Sequence, residues 1–192
     1  MQQLKDRIVK EGRVLPGNII KVDGFLNHRI DTELMTHIAD EFGRYFNMDE
    51  VTVILTAEAS GIALSAIVAQ RFHKPMLFAK KAKSDNIEGG LYQSDIFSYT
   101  YKKKVTLLVA KDWLTANDKV LIIDDFMANG EAMRGLCDIV SAAGATLVGI
   151  GCAVEKGFQG GGDRLRAAGI NLKSLAIIDS AEPGRIVFRE ED

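Results

Sequence analysis

Two adjacent carboxylates, Asp124 and Asp125, close an apolar run, Val120-Leu121-Ile122-Ile123, and lead into Phe126-Met127-Ala128-Asn129-Gly130-Glu131-Ala132. Four branched apolar residues have the length and composition of a strand buried on both faces. Asn129-Gly130 marks a turn, after which Met133, Leu136 and Val140 recur at helical spacing. The order is strand, paired acids, glycine turn, helix N-terminus. Ligands of open α/β sheets bind outside the carboxyl ends of the strands, and the free N–H groups and dipole of a helix N-terminus attract phosphate. Carboxylates accept hydrogen bonds from vicinal hydroxyls, so the stretch has the chemistry of a sugar-phosphate site. Solvated acids beside a common turn would read the same over so short a span, and the rest of the chain has to decide.

A second stretch repeats the logic. Glu58-Ala59-Ser60-Gly61 follows the apolar run Val51 to Thr56 and opens a helix, so its backbone amides face a second anion. The competing reading is a simple helix cap by Ser60. Lys80 and Lys81 follow a third apolar run, Pro75 to Ala79, where their ammonium groups would lie near an anion, although a lone basic pair is commonly a solvated surface. His28, His37 and His73 have no spacing suited to a metal or to a catalytic triad, and Cys137 and Cys152 form no metal motif.

The elements that must position these residues follow from periodicity. Leu4, Ile8 and Val9 predict a short helix stopped by Gly12, and Arg13 to Ile30 reads as irregular. Asp31 is the expected N-cap of a helix with Leu34, Met35, Ile38, Phe42 and Phe46 on one face, leaving His37 toward solvent. Val51–Thr56, a helix through Ile62, Ala66, Ile67 and Ala69, and Pro75–Ala79 make a β-α-β unit with a right-handed crossover. Lys80 to Tyr92 is a long polar loop, and residues 95–100 and 104–110 read as an antiparallel excursion. The strand ending at Asp124 and its helix, which Gly144 ends, precede a strand over Thr146–Val154. A loop through Glu155-Lys156-Gly157-Phe158-Gln159, a short helix near Leu165 and late strands over Leu172–Ile178 and Arg185–Phe188 complete the chain. The fold class is α/β, a single domain over residues 1–192 with a central, mostly parallel sheet flanked by helices.

Composition excludes several classes of function. A chain of 192 residues with 47% hydrophobic and 26% charged residues supports a packed core and is neither disordered nor fibrous. A net charge of -2 gives no general pull toward nucleic acid. The N-terminus lacks an export signal and no apolar run is long enough to span a bilayer. With two cysteines and no disulfide framework, a cytoplasmic protein with free thiols is expected.

The stretch around Asp124 resembles the phosphoribosyl diphosphate motif of the type I phosphoribosyltransferases: apolar strand, two acids, a short glycine loop, helix. Most members carry Thr-Gly-x-Thr in the loop, whereas this chain has Asn-Gly-Glu-Ala, so the backbone amides and the Asn129 side chain must hold the phosphate. That departure, with Lys21-Val22-Asp23-Gly24-Phe25-Leu26-Asn27-His28 and Val154-Glu155-Lys156-Gly157-Phe158-Gln159, is similar to the branch of the family in Bacillus-like bacteria that uses xanthine. The resemblance covers essentially the whole chain. It implies a type I phosphoribosyltransferase fold with a small hood formed mainly by residues 1–30 and a flexible loop at about 83–101.

The same resemblance implies the roles. Asp124 and Asp125 would hold the ribose hydroxyls at the reacting centre. Ala128, Asn129, Gly130, Glu131 and Ala132 would bind the 5-phosphate, with Glu131 repelling it unless its carboxylate points away. Glu58, Ala59, Ser60, Gly61 and Lys81 would bind pyrophosphate, and Ile20, Asn27, Lys156 and Phe158 would bind xanthine. Lys156 would donate to a 6-oxo group, Asn27 would meet the urea-like edge of the base, Phe158 would stack and Ile20 would pack. The implied reaction, that of a pentosyltransferase in purine salvage, moves phosphoribosyl from phosphoribosyl diphosphate to N9 of xanthine. Mg²⁺ would arrive with the diphosphate rather than at a fixed protein site, and a homodimer is implied, with neither nucleic acid nor membrane as partner. The alternatives are a guanine, hypoxanthine or adenine enzyme of this family, or a regulator of the same fold that senses phosphoribosyl diphosphate.

Overall fold

The computed structural model describes residues 1–81, 90–98 and 103–190. Its centre is a six-stranded sheet in the order β10-β9-β8-β7-β3-β4, where β3 is Val53–Ala57, β4 Met76–Ala79, β7 Lys119–Met127, β8 Thr146–Lys156, β9 Leu172–Glu182 and β10 Arg185–Phe188. All neighbours run parallel except β10, which is antiparallel to β9. From β3 the chain winds outward through helix α3 (Gly61–Arg71) to β4, while from β7 it winds the other way, through α4 (Glu131–Ala142) to β8 and through α5 (Gly161–Ala167) to β9. The winding therefore reverses between β3 and β7. At that point the two following loops splay to opposite faces and leave a crevice.

Two apolar layers cover the sheet. On one side Leu121 and Ile123 of β7 pack with α1 (Gln2–Glu11), α2 (Thr32–Tyr45), α3 and the N-terminal segment around Val22, Phe25 and Leu26. On the other, Val120 and Ile122 pack with Met133, Leu136 and Ile139 of α4 and with an antiparallel pair, β5 (Leu91–Ser98) and β6 (Lys103–Ala110). Strand alternation thus sends successive β7 side chains to different layers. The α2 stripe is buried as its spacing predicts, and the Asp31 carboxylate caps the helix by accepting from the Leu34 N–H at 3.1 Å.

Several elements depart from the sequence reading, each for a local reason. The segment after Gly12 contains a hairpin, β1 (Arg13–Leu15) on β2 (Ile19–Lys21). Gly17 and Asn18 adopt positive φ of 83° and 58° at its turn, but three-residue arms are too short for alternation to register. Strand β7 does not end at the acids; it runs on to Met127, so Asp124 and Asp125 lie within it. Strand β8 likewise continues through the buried Glu155 to Lys156. His37 is half-buried rather than solvent-facing, and its Nδ1 is enclosed without a partner. Of the segment anticipated as a flexible loop, residues 90–98 are described and mostly form β5; 82–89 and 99–102 lie outside the described residues.

Replacing Asp31 with Ala removes both the cap and an ion pair to Arg7 at 3.0 Å. The expected loss in urea unfolding is about 1 kcal/mol, dominated by the cap.

Candidate active site

The crevice between β3 and β7 is built by the two stretches that stood out in the sequence. After β3 the chain turns through Glu58-Ala59-Ser60, with a cis Glu58–Ala59 peptide, into α3; after β7 it turns through Ala128-Asn129-Gly130 into α4. Between them lies a cleft of about 210 Å³ lined by Glu58, Ser60, Lys81, Asp124, Phe126 and the whole of residues 128–132. Two helix N-termini, each with first-turn N–H groups that no intrahelical carbonyl can satisfy, bound one cavity. That arrangement has the chemistry to receive two anionic groups beside a carboxylate.

The loop after β7 is shaped for that task. Gly130 adopts φ 76°, the left-handed conformation that turns the backbone into α4, and α5 packs directly on it. A side chain at Gly161 would overlap the Ala128 carbonyl and the Gly130 nitrogen, so only glycine lets the α5 N-terminus brace the loop. Arg164 Nη2 adds a hydrogen bond to the Asn129 carbonyl at 3.0 Å. Glu131 lines the cleft, but its Oε2 accepts from the Phe97 N–H at 3.4 Å and pairs with Arg134 Nη2 at 3.2 Å. Its charge is met from the side.

The turn after β3 is more open. Ser60 makes no capping hydrogen bond with its side chain, which leaves the hydroxyl free of the role a simple cap would give it. The Glu58 carboxylate accepts from the Lys81 backbone N–H, so this acid ties β3 to the end of β4. Any anion at this turn would be met by amides, by Ser60 and by the Lys81 ammonium rather than by Glu58. Lys80 points instead to an apolar groove with Phe78 and Trp113.

The two acids are not equivalent. Asp124 lines the cleft, while the Asp125 carboxylate, close beside that of Asp124, accepts at Oδ2 from Asn27 Nδ2 at 2.9 Å. Burial first, and then the charge of Asp125, push the Asp124 pKa well above its ordinary 3.8, with Lys81 pulling weakly the other way. Asp124 Oδ1 also accepts the Asp125 N–H at 3.0 Å and lies against Gly61, where a side chain would overlap both it and Thr56 Oγ1. Cys152, opposite Asp124 on β8, is buried, and that burial raises its thiol pKa; Cys137 is half-buried and raised to about 11. Both thiols are free, and the raised pKa disfavours the nucleophilic thiolate form.

At the mouth of the cleft the hood meets the end of β8. Lys156 is half-buried, which lowers its pKa; its Nζ donates to the Asn18 carbonyl at 3.1 Å and sits 5.5 Å from the Phe126 ring and 6.0 Å from that of Phe158. Ile20 is buried in the apolar cluster against which both rings pack. Asn27 stands on a turn anchored by Phe25 and Leu26, which are almost fully buried. The four residues assigned to the base, scattered over 138 positions of sequence between Ile20 and Phe158, thus gather on one side of the sheet beside Phe126. An ion-pair chain stiffens the base of this loop. The buried Glu155 takes Arg166 in a two-bond fork at 3.0 and 2.6 Å, and Arg189 joins Asp163 at 2.6 Å to Asp179 at 3.0 Å; these hydrogen bonds raise the pKa of both arginines.

Sequence reasoning missed Phe126, which belongs to both the cleft and the base side, and Ile96 and Phe97, which wall the cleft from β5. Phe126 adjoins the acids and was open to notice. Ile96 and Phe97 lay in a segment read partly as loop, and nothing local tied them to the site. Among the described residues, no three His, Cys, Asp or Glu side chains converge as a metal ligand set.

Two helix N-termini at the switch point with a carboxylate between them suit a sugar ligand that carries two phosphate groups. The chain belongs to the phosphoribosyl transferase domain family, which matches residues 25–165, and it has the type I fold. It is 54% identical over 191 residues to the xanthine phosphoribosyltransferase of Lachnoclostridium phytofermentans, covering 98% of each chain. It is 51% identical to that of Bifidobacterium longum, covering 98% of this chain and all of the relative. Among solved structures it is similar to the adenine phosphoribosyltransferase of Giardia lamblia, with a TM-score of 0.76 at 19% identity over 93% of this chain and 98% of that one. At that identity the likeness concerns the fold.

The raised pKa of Asp124 makes its contribution to stability pH-dependent. Below the unfolded value near 3.8 both states hold the proton; as pH rises from there through the folded pKa, the unfolded chain releases a proton that the native state keeps, and stability falls. Asp124→Asn removes this effect. Its unfolding free energy should match the wild type near pH 3.5 and exceed it increasingly toward neutrality, while turnover is lost; urea titrations across pH measure the gap.

Proposed function

We propose that the chain transfers the 5-phosphoribosyl group from phosphoribosyl diphosphate to N9 of xanthine, giving xanthosine 5'-monophosphate and pyrophosphate, in purine salvage. The observation that carries the base assignment is that Asn27 and Lys156 each link the N-terminal segment to the sheet beside cleft residues, Asn27 through Asp125 next to Asp124 and Lys156 through the Asn18 carbonyl with its ammonium over Phe126. The xanthine phosphoribosyltransferases that the chain matches over nearly its whole length support the same reading.

In this reading the loop 128–132 takes the 5-phosphate on its amides, the turn 58–61 with Lys81 takes the pyrophosphate, and Asp124 accepts from a ribose hydroxyl. Phe126 and Phe158 bound the purine plane, and Lys156 donates to its 6-oxo group. A 6-amino group in that place would set donor against donor, which disfavours adenine. Bond breaking to pyrophosphate runs ahead of bond making, so catalysis consists of positioning and of stabilising charge on a cationic sugar, with no covalent nucleophile. A hard cation such as Mg²⁺ prefers phosphate, hydroxyl and water oxygens, and of the carboxylates lining this cleft Asp124 would hold it alongside the diphosphate, where it would supply neutralisation of charge on the leaving group. The resemblance also supports a cytoplasmic homodimer, which sedimentation of the purified protein tests.

Pyrophosphate release measured in parallel with xanthine, guanine, hypoxanthine and adenine should rank xanthine first and adenine last; adenine turnover equal to that of xanthine would overturn the Lys156 assignment. Lys156→Met should lower kcat/KM for xanthine by about ten- to a hundredfold, with the KM for phosphoribosyl diphosphate changed by less than about threefold.

A further inference from the structure

The loop Ala128-Asn129-Gly130-Glu131-Ala132 contains no hydroxyl and no cation, and Glu131 brings a negative charge to it. No side chain caps α4, so its first-turn N–H groups are left for a ligand. An anion here is met by those backbone N–H groups and the Asn129 amide, and its affinity depends on where they aim. A peptide unit is planar, and its N–H points opposite to its C=O. Fixing the carbonyl of Asn129 on one side therefore fixes the N–H of Gly130 on the other.

Arg164 holds that carbonyl. Its Nη2 donates to the Asn129 oxygen at 3.0 Å and its Nη1 to the Gln159 oxygen at 3.4 Å. One planar guanidinium thus spans the loop assigned to the 5-phosphate and the loop that carries Lys156 and Phe158. We propose that Arg164 is a positioning residue for the 5-phosphate: it draws the Asn129 carbonyl away from the cleft and so turns the Gly130 N–H toward the anion. The proposal rests on the phosphoribosyl-transfer reading above and adds to it a residue that lies 35 positions from Asn129 and touches no substrate.

The loop needs such a hold because of Gly130 itself. Its φ of 76° lies where glycine moves freely, so the Asn129–Gly130 peptide can turn over unless something grips it. A reversed unit would set a carbonyl oxygen against a phosphate oxygen, two acceptors without a proton between them. The helix that carries Arg164 is firm enough to supply the grip. On either side of Arg164, Arg166 forks onto the buried Glu155 at 3.0 and 2.6 Å, and Asp163 takes Arg189 at 2.6 Å. A side chain at Gly162 would overlap the Glu155 carboxylate, so α5 lies close against the end of β8. Arg164 therefore reaches the loop from a fixed base, and its loss should appear at the 5-phosphate and not at the pyrophosphate turn across the cleft.

The test is Arg164→Met, which keeps much of the side chain's length and removes its donors. Ribose 5-phosphate and pyrophosphate are the probes, each titrated calorimetrically into wild type and variant in buffer containing Mg²⁺. The expected result is a Kd for ribose 5-phosphate weakened about tenfold, with the Kd for pyrophosphate within about twofold of wild type. A general loosening of the cleft would weaken both probes together. That outcome, or an unchanged Kd for ribose 5-phosphate, overturns the proposal. If the variant does not fold, as judged by circular dichroism, Arg164→Lys takes its place. A single ammonium cannot span both carbonyls, so ribose 5-phosphate should still bind about threefold more weakly, and wild-type affinity there also overturns the proposal. A wild type that does not bind ribose 5-phosphate defeats the underlying functional reading instead, and the two failures are thereby distinguishable.

Discussion

Two adjacent carboxyl groups in the innermost strand of a parallel sheet set the terms for everything around them. Both lie too deep to be left to water, and each has charge close by in the other. Asp124 lines the cleft between two helix N-termini, and its burial with the neighbouring Asp125 charge raises its pKa. Asp125 receives a donor from Asn27 of the N-terminal segment.

Around that pair the rest of the site is arranged. The winding of the sheet reverses between β3 and β7, so the loops that leave them spread apart and leave a cleft lined by Asp124. The hood closes on the other acid and on Lys156 through two links, Asn27 to Asp125 and Lys156 to the Asn18 carbonyl. The loop that carries Phe158 is fixed from below by the Glu155–Arg166 pair and the Arg189 bridge, which places charge compensation where a glycine-rich segment would otherwise have little to hold it.

The relatives illustrate how fold separates from specificity. The adenine phosphoribosyltransferase of Giardia lamblia shares the architecture at 19% identity, whereas the xanthine phosphoribosyltransferases share half of all residues. A parallel sheet with its switch point can be made from many sequences, since it asks only for apolar strands and helix faces. A base pocket asks for particular donors and acceptors at particular places.

The sequence by itself determined the strands, the α2 stripe with its Asp31 cap, the glycine turn after Asp125 and the second small-residue turn at 58–61. These are local, and periodicity or turn chemistry expresses them within a dozen residues. It also carried the motif from which the family could be read. What only the tertiary structure decided was that Asn27 belongs to Asp125 and Lys156 to Asn18, that Ile96 and Phe97 wall the cleft, and that Gly161 braces the loop after β7. Strand β7 runs three residues beyond Asp124, to Met127, so both acids lie within the sheet rather than in the loop that follows it. Contacts across a hundred positions depend on how the sheet twists and how the hood docks, and no short window of sequence holds that information.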